Sequence, residues 1–526
     1  MPPPNVLPYD TVDVLVIGGG NAGFCSAISA AESGAQRVLL IDSCPEDWAG
    51  GNSYFTAGAF RTVHDGLQDL LPLVNNVDEA TADKIDMDLY TVGDFSKDIE
   101  RVCKGRSDPH LASVLVHQSN DTIRWLAKNG VRFQLSFNRQ AYEVGGRIKF
   151  WGGMSLNTEE GGKGLIEDHR RAAAALGVRV AFSTTAKHIL MDPSTGSVHG
   201  VIVVGPDDSG GEHEIGAKSV ILAAGGFEAN PRLRAQYLGP NWDMAKVRGT
   251  PYNNGACLEM AIRDASAKQA GNWSGCHSVA WDANAPDHAG DRAVSNEFTK
   301  SGYPLGLMLN TDGDRFVDEG VDMRNFTYAI FGRKILQQPG HVAFQVWDAQ
   351  VAPWLREEEY RDERVEKIRA ATVEELATKC AEKGLTDSEK FIETITTYNE
   401  AVAAFQRENP DSAGSWDPSV KDGLSTQSRA RRLPLAKSNW ALPLTKGPFL
   451  AVKVTCGVTF TFGGLAVDPA TAGVISSVTD RTIPGLFCAG EMVGGLFYDN
   501  YPGGSGLTSG AVFGRRAGEA AAARAR

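Results

Sequence analysis

The sequence has no C-x-x-C pair, no apolar run near the ~20 residues a membrane span needs, no internal repeat and no low-complexity tract. Its eight cysteines (Cys25, Cys44, Cys103, Cys257, Cys276, Cys380, Cys456 and Cys488) are scattered. That spacing argues against iron–sulfur clusters, structural zinc and a disulfide framework, so no metal ligand set is expected. Met1-Pro2-Pro3-Pro4-Asn5 offers neither a basic n-region nor an apolar h-region, so the expectation is a cytoplasmic chain without a signal peptide. Basic residues are outnumbered, 52 against 64 acidic ones, and the formal charge of −12 disfavours nucleic acid and anionic membrane as partners. At 526 residues the chain exceeds one small core, and two domains or one large interrupted domain is expected.

What is present starts with Asp13 to Asp42. Val14-Leu15-Val16-Ile17 reads as a parallel strand buried on both faces. It runs into Gly18-Gly19-Gly20-Asn21-Ala22-Gly23, a G-x-G-x-x-G turn, then a helix to Ser33 that stops at Gly34. A second strand, Val38 to Ile41, carries Asp42 at its tip, at about the 20-residue spacing where a carboxylate meets ribose hydroxyls. Gly18 turns the chain, Gly20 lets backbone approach a pyrophosphate and Gly23 lets helix and strand pack closely. The helix N-terminus offers unpaired N–H groups and a positive dipole end. These features predict a dinucleotide site using Gly18, Gly20, Asn21, Ala22, Gly23, Asp42 and Ser43. A carboxylate at Asp42 would repel a 2′-phosphate, which disfavours NADP.

Further along, Trp48 to Ser53 predicts a glycine-rich loop over the cofactor, with Gly50, Gly51, Asn52 and Ser53 followed by Thr56, Ala57 and Gly58. Helices are predicted over His110 to Asn129 and Leu165 to Leu176, and strands over Val178–Phe182, His188–Met191 and Gly200–Val204. Ala186, between the first two of those strands, is a further cofactor candidate. Asp207 to Gly211 reads as a polar hairpin turn. Lys218 to Gly226 returns to the parallel sheet, and its small tip residues Ala224, Gly225 and Gly226 let a ligand pass. Glu357–Lys383 and Glu389–Gln406 read as charged helices, the second with a Thr386-x-x-Glu389 capping box, before a polar loop from Asn409 to Trp416. Sheet-type pattern resumes near Phe449, and Pro484 to Glu491 is a strand ending in Gly490 and an acid. Tyr501-Pro502-Gly503-Gly504-Ser505-Gly506 opens a final helix. The expected fold is α/β, a Rossmann-like FAD-binding domain (1–284 and 448–526) with an inserted α+β capping domain (285–447).

A second glycine-led helix start far from the first points to a flavin. A flavin's pyrimidine edge becomes anionic on reduction, and a helix N-terminus stabilises that charge. Ser505, Gly506 and Leu507 suit this edge, and Glu491 suits the ribityl chain. The chain resembles the flavoprotein subunits of fumarate reductase and succinate dehydrogenase over Gly18–Asp42, Gly50–Gly58, Ala223–Phe227, Gly313–Glu319 and Pro484–Gly506. Within that family it is similar to the tricarballylate dehydrogenase subgroup, through Asn272–His277, Arg315–Arg324, Lys437–Trp440, Thr459–Gly464 and Asn500–Gly504. The resemblance implies FAD, a mobile capping domain, and hydride exchange between flavin N5 and a carbon next to a carbonyl or carboxylate. Covalent members attach FAD through a histidine whose position is Asn52 here, so non-covalent FAD is expected.

The departures from that family shape the catalytic expectation. His277 matches the first active-site histidine, but Ser278-Val279 follows it. Ala352 stands where the fumarate enzymes carry a proton-donating arginine, Phe460 where they have a second histidine, and Tyr501 where an arginine clamps a carboxylate. The candidate catalytic set is therefore Tyr501, His277, Arg324 and Glu319. Tyr501, in a turn like that of the ketosteroid desaturases, or His277 would take the α-proton, and Arg324 would hold a carboxylate or carbonyl. Glu319 would relay protons or hold Arg324. The first expectation is a tricarballylate dehydrogenase-like desaturase of a small carboxylate or carbonyl substrate. The alternatives are an ene-reductase or ketosteroid dehydrogenase-like enzyme on a larger carbonyl compound, and a non-catalytic electron-transfer flavoprotein. With no cluster cysteines, electrons would leave to oxygen, a quinone or a separate protein.

Overall fold

The computed structural model describes residues 10–206, 211–287, 289–410 and 420–526. The N-terminal tail, the turn expected at Asp207–Gly210 and most of the polar loop expected up to Trp416 lie outside the described residues. The chain is mixed α/β and divides into two compact units. The first comprises Met1–Gly239, Gly249–Cys276 and Thr459–Arg526; the second comprises Pro240–Arg248 and His277–Val458. The sequence placed the borders at 285 and 447. The division by contacts falls at 277 and 458, inside the strands Gln269–Asp282 and Phe449–Leu465.

In the first unit Thr11–Ile17 is the central strand, buried from Val12 onward. Its Val14 lies in parallel register with Val38 on one side and Ser219 on the other. The sheet order is Thr185–Met191, Val198–Val204, Glu212–Leu222, Thr11–Ile17, Val38–Ile41, Arg179–Ala181. The first three strands form an antiparallel meander, and Thr482–Cys488 pairs in parallel with the end of Glu212–Leu222. Continuous apolar runs are what a strand with parallel neighbours and two covered faces requires.

The opening helix Asn21–Glu32 and the closing helix Ser505–Ala525 pack against each other through a glycine stripe. A Cβ on Gly514 would sit 2.7 Å from Ala22 O, and one on Gly518 2.4 Å from Ser26 O. Ser29 Oγ donates to Arg515 O at 2.7 Å along the same seam. Absence of side chains there sets the helix separation.

The second unit is built on Leu307–Asn310, Ala343–Trp347, Ile368–Ala370 and the Phe449 half of Phe449–Leu465, paired antiparallel. One sheet face is covered by Leu376, Phe391, Ile395, Tyr398 and Val402 of the helices Val373–Ala381 and Ser388–Glu408. The other face packs Met308, Trp347 and Val454 against Tyr303, Phe331 and Tyr360.

Several local expectations are corrected. Glu357–Lys383 is not one helix: Glu357–Tyr360 is a single turn, Ile368–Ala370 is a strand, and Val373–Ala381 is capped by Thr372. Tertiary burial overrides propensity there, because Glu359 accepts from Ser301 N and Oγ while Ile368 and Ala370 enter the core. The Thr386–Glu389 capping box does not form. Thr386 Oγ1 donates to Thr311 O at 2.7 Å, and Asp387 caps the helix by accepting from Lys390 N at 2.8 Å. The loop expected at Trp48–Ser53 contains helical turns, Glu46–Trp48 and Gly51–Tyr54.

Gly518→Val should lower the free energy of unfolding by about 1–3 kcal/mol in a urea titration, since a branched side chain would push the two helices apart. Glu519→Ala, on the exposed side of the same helix, should change it by no more than about 0.5 kcal/mol. Equal effects would mean that the seam is not close-packed.

Candidate functional site

The first strand ends at Gly18, whose φ of +109° and whose Cβ position, 2.3 Å from Ala223 O, admit only glycine. Gly23 lies over it, and a Cβ there would meet Gly18 O at 1.8 Å. Gly20 differs: it precedes the opening helix, no side chain caps that helix, and a Cβ would have nothing nearer than 3.6 Å. The turn is thus closed on the protein side and open at the helix start, as an approaching phosphate requires. Asp42 Oδ2 accepts from Gly19 N at 2.6 Å and Oδ1 from Cys44 N at 3.0 Å, which fixes the carboxylate beside the turn. Ser43 next to it is exposed. Thr184 N donates to Asp42 O, so the strand bearing Ala186 starts beside this corner.

Asn21, 2% exposed, links three elements. Its N–H donates to Ser53 Oγ at 3.1 Å and its Nδ2 to Leu507 O at 2.9 Å, while its Oδ1 lies 2.9 Å from His169 Nε2. Burial pushes His169 down to about 3. It is therefore neutral, and its Nε2–H is assigned as the donor to Asn21. Ser53 belongs to the turn Gly51–Tyr54. Beyond it, Thr56 Oγ1 donates to Ser53 O and accepts from Gly58 N, and Thr56 O accepts from Gly162 N. Gly50, Gly51, Asn52, Ala57 and Gly58 are thereby held along the helix Gly161–Ala175. Both helix starts thus meet at Asn21, and the cofactor loop joins them there.

At the second helix start Gly504 precedes the closing helix, again with no side-chain cap, ahead of Ser505, Gly506 and Leu507. Arg61, which the sequence did not single out, holds this turn. Its Nε donates to Gly503 O at 2.8 Å and its Nη1 to Tyr90 OH at 2.7 Å and Asp98 Oδ2 at 2.9 Å. Its side chain is 2% exposed. Nothing local marks it, because every partner is distant in sequence. The Gly510-x-x-x-Gly514-x-x-x-Gly518 spacing, by contrast, is a local signal of close helix contact that the sequence reading did not use. Glu491, after Gly490, accepts from Thr461 N at 2.7 Å and from Thr461 Oγ1 at 2.9 Å. Its Oε1 lies 2.1 Å from where Gly226 would carry a Cβ.

Tyr501 sits in a ring cluster of the same unit. Its centroid is 5.5 Å from Phe497, 5.7 Å from Phe460 and 6.4 Å from Phe462. A Cβ on Gly506 would lie 3.7 Å from Tyr501 Cε2, so the phenol is in van der Waals reach of the helix start.

His277, Arg324 and Glu319 belong to the second unit. His277 is 2% exposed and stands edge-on to Tyr328, with centroids 5.0 Å apart. Burial and then the Arg248 guanidinium hold its imidazole well below the ordinary value. Arg324 begins the single-turn helix Arg324–Thr327. Glu319 is fully buried and is committed to Arg315, through Nε at 3.2 Å and through Nη2, and to Met308 N at 2.8 Å. Its carboxylate holds Arg315, where the sequence reading had offered Arg324.

The FAD binding domain family matches residues 13–507. The chain belongs to the fumarate reductase and succinate dehydrogenase flavoprotein family. It is an FAD-dependent oxidoreductase. It is 28% identical over 519 residues to a probable fumarate reductase of Shewanella frigidimarina (strain NCIMB 400), spanning 98% of this chain and 76% of that protein. It is also 26% identical over 549 residues to a vinyl phenol reductase of Lactiplantibacillus plantarum (strain ATCC BAA-793 / NCIMB 8826 / WCFS1), spanning 98% and 97% of the two. Among solved structures, the open conformation of a flavocytochrome c3 fumarate reductase superposes with a TM-score of 0.71 at 26% identity, over 98% of this chain and 78% of that one. No helix among the described residues is long and apolar enough to cross a membrane.

A buried histidine whose folded value is depressed contributes stability above its unfolded value of about 6.5 and loses it as pH falls. Between pH 7 and pH 5, wild type should therefore lose about 2 kcal/mol more unfolding free energy than His169→Gln, which keeps a donor to Asn21 without titrating. Parallel losses in the two proteins would contradict a neutral His169.

Proposed function

We propose that FAD binds non-covalently along the first unit. Gly18, Gly20, Asn21, Ala22 and Gly23 would face its pyrophosphate, Asp42 and Ser43 its ribose, and Ala186 its adenine. The Gly50–Gly58 loop and Ala224–Gly226 would line its length, Gly490 and Glu491 the ribityl chain, and Ser505, Gly506 and Leu507 the pyrimidine edge. The residues fit the group: two uncapped helix starts converge on Asn21, and the turn beside Gly20 is open where a phosphate would lie. Non-covalent attachment follows from Asn52, which offers an amide in place of a nucleophilic ring nitrogen. That amide is already spent on Glu228 Oε1, Thr459 O and Thr250 N.

The reaction we infer is hydride exchange at a C–C bond next to a carbonyl, in a substrate with a large apolar body. The observation that supports this is the ring cluster of Tyr501, Phe460, Phe462 and Phe497 at the closing helix start. A tricarboxylate would bring several charges against these apolar ring faces, and their burial there would be unfavourable. This favours the ketosteroid dehydrogenase-like or ene-reductase reading over the tricarballylate one. The vinyl phenol reductase relative, named for an aromatic alkene, points the same way.

FAD, when bound, supplies the two-electron exchange by taking or giving a hydride. Tyr501 handles the proton. In desaturation its oxygen takes the α-proton as its own hydroxyl proton passes to solvent water, and the C–H electron pair becomes the new π bond as the β-hydride leaves. In reduction its hydroxyl returns that proton to the α-carbon. We assign this role to Tyr501 over His277 because a buried imidazole held well below its ordinary value is a poor proton acceptor. Arg324 is proposed to steady the carbonyl oxygen as negative charge develops. Electrons would pass to oxygen, a quinone or a separate protein.

Anaerobic mixing of holoenzyme with paired saturated and unsaturated cyclic ketones, vinyl phenol, succinate and tricarballylate should change the flavin spectrum with the cyclic or aryl compounds only. Tyr501→Phe should keep FAD and slow that change by ~10²–10⁴-fold. Turnover of tricarballylate by the wild type, or unimpaired turnover by Tyr501→Phe, would overturn the assignment.

A further inference from the structure

Beside the half-buried Glu491 lies a fully buried carboxyl that the proposed chemistry does not use. Glu228 follows the strand-end turn Gly225-Gly226-Phe227, and its side chain is fully buried. Its Oε1 accepts two amide donors, Asn52 Nδ2 at 2.5 Å and Asn253 Nδ2 at 2.7 Å. Its Oε2 is buried, and no group among the described residues donates a hydrogen bond to it. The titratable group acting on it is Glu491, whose own Oε1 is filled by Thr461 N and Oγ1.

Two glycines of the strand-end turn lie close against the groups around the pair. Gly226 would place a Cβ 2.1 Å from Glu491 Oε1, and Gly225 would place one 2.4 Å from Asn253 Nδ2. The nearby cation, Arg234, is turned to the main chain, where its Nη1 donates to Glu228 O at 2.5 Å. A fully buried carboxyl and the half-buried Glu491 beside it, whose donors printed among the described residues are neutral amides and a threonine, do not both ionise. A proton on Glu228 Oε2 removes the bare acceptor and turns it into a donor towards Glu491.

We propose that Glu228 and Glu491 share one proton, carried by Glu228, and that this pair positions Glu491 and Asn52 for FAD, making cofactor retention depend on pH. The proposal rests on the assignment of Glu491 and the Asn52 loop to FAD. Burial, and then the neighbouring carboxylate, push Glu228 well above the ordinary carboxyl range, and burial raises Glu491 to about 7. A raised folded-state value means that the folded chain holds a proton the unfolded chain has lost. Below about 7 both carboxyls hold a proton, above it the single proton stays on Glu228, and the pair is lost as pH rises further through the raised value of Glu228, opposite to an ordinary salt-bridged carboxylate.

Two readouts test this on the holoenzyme. The first is FAD release, followed by flavin fluorescence after dilution between about pH 6 and about pH 9. Release from wild type should quicken on the order of tenfold or more across that range. Glu228→Gln, whose amide donates permanently to Glu491, should release FAD slowly at every pH. Glu491→Gln should also lose the pH dependence, which covers the case in which the first variant folds poorly. The second readout is infrared: wild type should show the carbonyl stretch of a buried protonated carboxyl at pH 7, absent in Glu228→Gln. A flat wild-type profile, an unchanged slope in Glu228→Gln or a missing infrared band would overturn the proposal. A chain that shows the band but binds no FAD would instead contradict the cofactor assignment and leave the shared proton standing.

Discussion

Asn21 reaches Leu507 O across 2.9 Å only because Gly510, Gly514 and Gly518 let the closing helix lie on the opening one without intervening side chains. That contact brings two uncapped helix N-termini, more than four hundred residues apart in sequence, to one place. Each carries unpaired N–H groups and the positive end of a helix dipole, and together they form a track for an anionic nucleotide. The supports are neutral and buried: His169 holds Asn21, and Arg61, its charge met by Asp98, holds the Gly503 carbonyl.

The same economy of charge marks the reacting end. Where the fumarate enzymes use arginine and histidine, this chain has Tyr501 and Phe460, joined by Phe462 and Phe497 in one ring cluster. On the proposed reading, rings that exclude water beside a phenol suit proton transfer next to a carbonyl better than the grip of a polycarboxylate. His277 and Glu319 serve differently. The first is kept neutral by burial, and the second neutralises Arg315 within the core of its own unit.

The strand, turn and helix at the start of the chain were legible because their signals are local. The strand, glycine turn, helix and acid between Val14 and Asp42 occupy one stretch, and each residue has a steric or electrostatic reason visible in sequence. The glycine spacing in the closing helix carries a signal of the same local kind that went unread. Arg61, His169 and Glu228 were not, because a buried polar residue is defined by partners that come from elsewhere in the chain. The helix read over Glu357–Lys383 failed for a related reason: its periodicity is helical, but Ile368 and Ala370 are claimed by a sheet edge. Glu319 was singled out for relaying protons or holding Arg324, while its partner, Arg315, became visible only in the fold.

The claim beneath all of this is that both glycine-led helix starts grip one FAD. Calorimetric titration of FAD into apoprotein, for wild type, Gly23→Val and Gly510→Leu, tests it directly. The account predicts one FAD per chain and a loss of affinity of about 100-fold or more in each variant, since either substitution separates the two helix starts from a common ligand. Full-affinity binding by a folded variant at either end would contradict it.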